Sequence, residues 1–273
     1  MADPLNEVKI HEIFDILKKK FDSDFTSYKI NCLSRRIKRR MMLCKLEDID
    51  DYISLILDDE KELNVLYKTI TINVTRFFRD EATYDYIYDT ILPEIADRRH
   101  LNIWSAGCAS GEEAYSIAML LQNYKITKGA NFRFTVFATD IDTPSVEIAQ
   151  KGVYTPKSLF SVNGRFRNVF NMFSQRQGNY FHIIPEIRDK VEFKIQNLIN
   201  SCWDVKFDLI LCRNVFIYFS RELQNQILNT FRIHIRDDGQ LVLGRVETIF
   251  SDGKALFDVV SNKNKVYKKK RST

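Results

Sequence analysis

Much about this chain of 273 residues follows from what it lacks. No apolar run approaches the roughly 18 residues of a bilayer-crossing helix, so no membrane insertion is expected. The N-terminus, MADPLNEVKIHEIFD, is acidic and amphipathic and has no apolar signal-peptide core. The five cysteines (Cys32, Cys44, Cys108, Cys202 and Cys212) form no CxxC pair. That argues against a zinc knuckle and a disulfide framework, and suits a reducing cytoplasm. The four histidines are scattered, which leaves little support for a metal enzyme and no metal ligands to name. No internal repeat or low-complexity stretch is present.

The net charge of +5 hides a pattern. Residues 18–45 hold ten Lys/Arg against two Asp, and residues 46–62 hold eight acids against one Lys. The last eleven residues, KNKVYKKKRST, hold six basic residues and no acid, and read as a solvated end. The basic cluster differs because it lies inside a helical pattern. The acidic stretch has no reading beyond a solvated face that balances it.

Residues 7–70 carry apolar positions at helical spacing. Ile10, Ile13, Phe14 and Leu17 mark one helix, and Tyr28, Cys32, Leu33, Ile37 and Met41 a second. Tyr52, Leu55 and Ile56 mark a third, and Leu63, Leu66 and Ile70 a fourth, which predicts a small helical bundle. After residue 71, strand-like runs alternate with helical patterns, as in an α/β parallel sheet. Strands are expected at 101–106, 133–139, 207–213 and 239–244, with helices near 111–123, 143–150 and 220–235. Residues 179–195 alternate and read as an inserted hairpin or small subdomain. ALFDVVSNKNKVYKK reads as a closing antiparallel hairpin that turns near Asn262–Asn264.

Ligands of an open α/β sheet sit at the carboxyl ends of the strands, where strand order reverses. The first strand tip reads SAGCASGEE. Its glycines allow close backbone approach, and the following helix offers free N–H groups. Glu112 and Glu113 would repel a phosphate. They either complement the helix dipole or face a cationic, hydroxyl-rich ligand. The second tip, FATDIDTPS, places Asp140 where an acid holds ribose hydroxyls, while Asp142 and Pro144 read as a helix start. Together these suit a nucleoside without a phosphate clamp, such as S-adenosylmethionine (SAM). In CRNVFIYF, Arg213 and Asn214 are costly at a buried strand tip unless paired. Either a structural Arg–carboxylate pair or a ligand-facing Asn accounts for them. TINVTRFFRD joins the two regions and sets Asn73, Thr75 and Arg79 among Phe77 and Phe78.

NVTRFFRD, WSAGCASGEEAYSIAM, FATDIDTPSVEIAQKGVY, FDLILCRNVFIYF and GQLVLG, in this order, resemble the chemotaxis receptor methyltransferase (CheR) family. YKINCLSRRIKRRM resembles its N-terminal region. The resemblance spans about residues 10–268. It implies a Rossmann-like SAM-dependent methyltransferase sheet (81–273) with a small inserted β-subdomain at about 176–195. It also implies an N-terminal helical bundle (1–71) that docks substrate, and a linker (72–80) that contributes to the SAM site. The implied reaction methylates glutamate side-chain carboxylates on the cytoplasmic helical domain of chemoreceptors (methyl-accepting chemotaxis proteins), leaving S-adenosylhomocysteine (SAH). Asn73, Thr75 and Arg79 would line the SAM site, with Arg79 near the reacting groups. One of Glu112 and Glu113 would contact the methionine moiety, and Asp140 the ribose. Asn197 and Leu198 match the adenine-side segment, Asn214 and Val215 follow, and Tyr218 would lie close to the transferred methyl. A monomer without nucleic-acid partners is expected. The chain departs from the family pattern at Ala109-Ser110, at Ala114 and at Arg245-Val246, where a Ser-Glu pair commonly follows the glycine.

A glutamate acceptor has an ordinary pKa near ~4.3 and is ionised at neutral pH, so no general base is required. Positioning and desolvation remain as the enzyme's task. Arg79 and Tyr218 are the expected orienting groups, the first as a donor fork. Arg35, Arg36, Arg39 and Arg40 fall at helical spacings and would form one basic face that steers acidic receptor helices. Two alternatives are a nucleic-acid methyltransferase and a non-catalytic SAM-binding adaptor. The first lacks an Asn/Asp-Pro-Pro-aromatic signature, and aromatics are not interleaved with the arginines. The second would not need Arg79, Asn214 and Tyr218 together.

Overall fold

Four amphipathic stretches become helices in the computed structural model, which describes residues 4–21, 25–71, 75–250 and 253–270. They are α1 (Pro4–Phe21), α2 (Ile30–Leu43), α3 (Ile49–Asp58) and α4 (Glu60–Thr71). Ile10, Ile13, Phe14, Leu17, Leu33, Ile37, Tyr52, Ile56, Leu66 and Ile70 share one core, as their spacing requires. The compact unit built on them comprises Met1–Asn73 together with Tyr218–Gln224. The later segment is held by an antiparallel bridge between Tyr28 and Phe219. Lys29 N donates to Tyr218 O (2.8 Å), and Ser220 N to Ser27 O (3.0 Å). Sequence proximity alone would have assigned 218–224 to the sheet region.

The acidic stretch, unexplained by pattern alone, starts two helices. Asp48 caps α3 through the Asp50 N–H, with Asp50 and Asp51 in the first turn. Asp59 accepts from Lys61 N at 2.8 Å beside Glu60 and Glu62 in the first turn of α4. Acids there complement the positive end of each helix dipole. Glu62 does more: its carboxylate accepts from Arg40 Nη2 (2.6 Å), Arg40 Nε (3.0 Å) and the Tyr52 hydroxyl (2.8 Å).

The second unit comprises Val74–Ile217 and Asn225–Thr273. It opens with α5 (Glu81–Tyr86), a π-helical turn Ile87–Ile91 and α6 (Leu92–Ile95). Then follow β1 (His100–Ala106), α7 (Glu112–Lys128), β2 (Arg133–Asp140), α8 (Thr143–Lys151) and β3 (Val153–Tyr154). A 3₁₀ turn at Pro156–Leu159 leads to α9 (Gly164–Met172), β4 (Ser174–Gln177), β5 (Tyr180–Ile183), α10 (Pro185–Arg188) and β6 (Val191–Ile195). The chain ends with β7 (Phe207–Cys212), α11 (Arg221–His234), β8 (Ile235–Leu243), β9 (Phe257–Ser261) and β10 (Val266–Lys269). The seven-stranded sheet runs β6-β2-β1-β7-β8-β10-β9. Its first five strands are parallel, and β10 is antiparallel to both its neighbours. Every residue of β7 is buried, as a central parallel strand demands.

All four strands read from the sequence are present, as is the closing hairpin, which turns at 262–265. The 179–195 stretch is corrected. β4 and β5 form a hairpin that β3 extends into a separate three-stranded sheet, whereas β6 pairs in parallel with β2. Alternation signals strand but not which sheet will accept it. β8 also begins earlier than expected, with a register shift opposite Phe207–Leu209.

Burial alone would raise the Glu62 carboxyl, but the Arg40 guanidinium and Tyr52 hydroxyl outweigh it and hold it below the usual carboxylate range. We expect Glu62→Ala to cost roughly 2–3 kcal/mol in urea unfolding, below the ~3–5 kcal/mol of a fully buried pair because Arg40 keeps some solvent. The stabilisation is complete above the ordinary carboxylate pKa of ~4.3 and is lost as pH falls through the lower folded value. The difference between wild type and Glu62→Gln should therefore shrink in acid.

Candidate functional site

β1 has β2 on one side and β7 on the other, so strand order reverses between β1 and β7. The loop after β1, Gly107–Gly111, returns over the tip of β2. Gly107 N and Cys108 N donate to Thr139 O at 2.8 and 2.9 Å. Ala109 N donates to Asp140 Oδ2 at 2.7 Å, and Asp142 N to Asp140 Oδ1 at 3.0 Å. Asp140 is thus placed by the backbone it holds. Burial pushes its carboxyl above the ordinary range, against the N–H groups that favour the anion. Asp142 caps α8 through Ser145 N at 3.1 Å, as read from the sequence. Gly111, at φ +91°, closes the loop. A Cβ there would come within 2.7 Å of Ala149 Cβ, so no larger residue fits.

The two glutamates diverge. Glu112 accepts from the hydroxyls of Ser110 (2.7 Å) and Ser158 (2.9 Å). Glu113 lies at that reversal. It accepts from Ser105 Oγ of β1 (2.8 Å) and from Arg213 Nη1, just beyond β7 (3.4 Å). Burial pushes both carboxyls up. Arg213 and Ser105 counter this for Glu113, and the serine hydroxyls for Glu112.

Arg213 is nearly inaccessible and serves two sides. Besides Glu113, its Nη2 donates to Arg79 O and to Asp80 Oδ2, each at 2.8 Å. Its guanidinium carbon stands 5.6 Å from the centre of the Tyr84 ring. Burial would lower its pKa, but Tyr84, Glu113 and Asp80 hold it above the ordinary value. The structural Arg–carboxylate pair is therefore real, and it engages the linker as well. Within that linker Phe78 (φ 48°) and Asp80 (φ 60°) both adopt left-handed backbone, flanking Arg79. Phe77 N donates to Ser158 O (2.9 Å) and Phe78 N to Ser116 Oγ (2.9 Å). Thr75 and Arg79 are half-buried in this segment, and Asn73 lies outside the described residues.

Asn214 sits at φ 62° directly after Arg213, with Val215 next to it, both half-buried. Sequence reasoning missed what holds them. The buried Glu247 carboxylate accepts from Asn214 N (2.9 Å), Ile217 N (3.2 Å) and Gly244 N (2.6 Å). Phe216 N contributes too, and these donors oppose the upward push of burial on its carboxyl. A Cβ on Gly244 would fall 2.6 Å from Glu247 Oε2 and 2.8 Å from Asn214 N, so glycine is required for that approach. The available signal was an acid three residues beyond a strand-ending glycine. Beyond β6, Gln196 N donates to Asp140 O (2.9 Å), Asn197 is exposed and Leu198 is buried.

In the helical unit the four arginines of α2 separate. Arg36 donates to Ile70 O, with its guanidinium carbon 4.6 Å from the centre of the Tyr218 ring. Arg40 is spent on Glu62. Arg35 and Arg39 remain exposed, with Lys38 and Met42 beside them. The single basic face read from spacing is thus corrected to two faces.

Residues 73–266 match the family model described as CheR methyltransferase, SAM binding domain, and residues 9–71 match CheR methyltransferase, all-alpha domain. The chain is 34% identical over 241 residues to an uncharacterized 104.1 kDa protein of Rhodobacter capsulatus, covering 87% of this chain. It spans only a quarter (25%) of that relative's length. A chemotaxis protein methyltransferase of Borreliella burgdorferi is 28% identical over 251 residues, 88% of each chain. One from Listeria innocua is 30% identical over 238 residues, 86% of this chain and 88% of that one.

Removing the Glu247 carboxylate strands several buried N–H groups at once. Glu247→Ala should lower unfolding free energy by about 3 kcal/mol or more, and Glu247→Gln by less, because an amide oxygen still accepts. Urea titration of both variants measures this.

Proposed function

Since the chain belongs to the CheR methyltransferase family, we propose that it methylates glutamate side chains in the cytoplasmic helical domain of chemoreceptors. Residues 73–266 are similar to the SAM binding domain of that family. These residues fit the cofactor. Residues 101–122 contain no Lys or Arg, and two buried acids, Glu113 and Asp140, stand at neighbouring strand ends. Gln196 Oε1 is buried without a partner among the described residues, one position before the adenine-side pair. Such a set of acceptors suits a cationic nucleoside and would repel a phosphate. When bound, SAM supplies an electrophilic methyl on a sulfonium.

The observation that carries the reading is the position of Glu113 at the β1–β7 reversal. Its carboxylate would take the amino end of the methionine moiety, and Asp140 the ribose hydroxyls. Asn197 and Leu198 would flank the adenine, and Asn214 and Val215 would line the site from β7, with Thr75 on the linker. Arg79 would orient the acceptor carboxylate, which is already ionised and needs no base. Holding that anion too tightly would oppose a reaction that consumes its charge, so one fork suffices.

Incubation with methyl-labelled SAM and a receptor cytoplasmic domain should yield alkali-labile label that peptide mass spectrometry places on glutamate. Label on nucleic acid, or none, would overturn the reading. In calorimetric titration Glu113→Gln should weaken SAM and SAH alike by ~10–100-fold, the worth of a charge-assisted hydrogen bond, whereas Glu112→Gln should change them less than about threefold.

Docking is assigned to Arg35 and Arg39, the exposed members of the predicted basic face, with Lys38. Arg36 and Arg40 serve structure instead. The double variant Arg35→Glu/Arg39→Glu should raise the KM for receptor several-fold and flatten its dependence on salt, with SAM affinity unchanged.

A further inference from the structure

We infer that Arg213 is a positioning residue that presents Arg79 to the acceptor. This rests on the reading that Arg79 orients the acceptor carboxylate. Three observations point to it. Arg213 binds the linker at two points, Arg79 O and Asp80 Oδ2, each at 2.8 Å. Both residues flanking Arg79 hold left-handed backbone; Asp80 adopts it readily, but for the Phe78 side chain it costs energy and persists where it is fixed from outside. The same guanidinium reaches Glu113 by its longest bond, 3.4 Å, so one rigid fork spans the cofactor acid and the linker.

The consequence is a division of labour within one side chain. The two short bonds set the backbone from which the Arg79 side chain extends. The long bond is the one that yields most easily when a cationic group takes the Glu113 carboxylate. Arg213 can then keep its hold on the linker while the cofactor acid is engaged. A lysine at this position is a single-point donor and cannot bridge both sides.

The test compares Arg213→Lys, Asp80→Asn and Arg79→Ala, with receptor cytoplasmic domain as acceptor. Calorimetry gives the SAM Kd, steady-state kinetics separate kcat from KM, and thermal unfolding gives Tm. Arg213→Lys and Asp80→Asn should lower kcat by ~10-fold or more, with the SAM Kd within about threefold of wild type. Arg213→Lys in the Arg79→Ala background should cause no further loss, because both changes remove one function. Lowered Tm with kcat unchanged, or losses that add in the double variant, would show a merely structural Arg213 and overturn the inference. Asp80→Asn leaves the Arg213–Glu113 contact in place, so it decides the matter if Arg213→Lys fails to fold. Full turnover in Arg79→Ala would instead sink the reading of Arg79 itself, and the inference with it.

Discussion

Among the buried carboxylates around the ends of the central strands are Glu112, Glu113, Asp140 and Glu247, where each unpaired charge would cost several kcal/mol. The local structure is organised by how each one is compensated. Asp140 takes backbone N–H groups from the loop after β1 and from the start of α8. Glu247 takes those of the turn after β7 and of the end of β8. Glu112 is satisfied by hydroxyls and Glu113 by a hydroxyl and a distant guanidinium. The backbone segments that would touch a nucleoside are thereby tied to anions. An excess of negative charge also remains, and it favours a cation.

This economy links the fold to the site: the buried polar residues at these strand ends act by fixing backbone geometry. Arg213 and Glu247 touch backbone more than they offer free functional groups. They fix segments that carry Arg79 on one side and Asn214 and Val215 on the other.

The helical unit shows the same separation of duties on a smaller scale. α2 turns Arg36 and Arg40 inward, to Ile70 and Glu62, and leaves Arg35 and Arg39 in solvent. Helical spacing at 35, 36, 39 and 40 covers about 140° of arc, wide enough to straddle a boundary between core and water. The acids of 46–62 serve two helix starts and pair with Lys9, Lys20 and Arg40 through Asp50, Glu60 and Glu62, so the basic and acidic stretches are balanced within the helical unit.

The four helices, the parallel strands, the glycine loop and Asp140 were legible in the sequence because each depends on local periodicity or on residues close along the chain. Asp142 as a cap is of the same kind, being decided within three residues. Other features rest on pairings between distant positions, from Arg40 with Glu62 to Ser27 with Ser220, and no local pattern encodes these. Such are β6 joining the main sheet, Tyr218–Gln224 joining the helical unit, the partition of the α2 arginines, and the roles of Glu113, Arg213 and Glu247. The sequence by itself determined which elements form and which chemistry their tips can support. Only the tertiary structure decided which buried charge meets which partner, because compensating a desolvated charge is a question of distance in space.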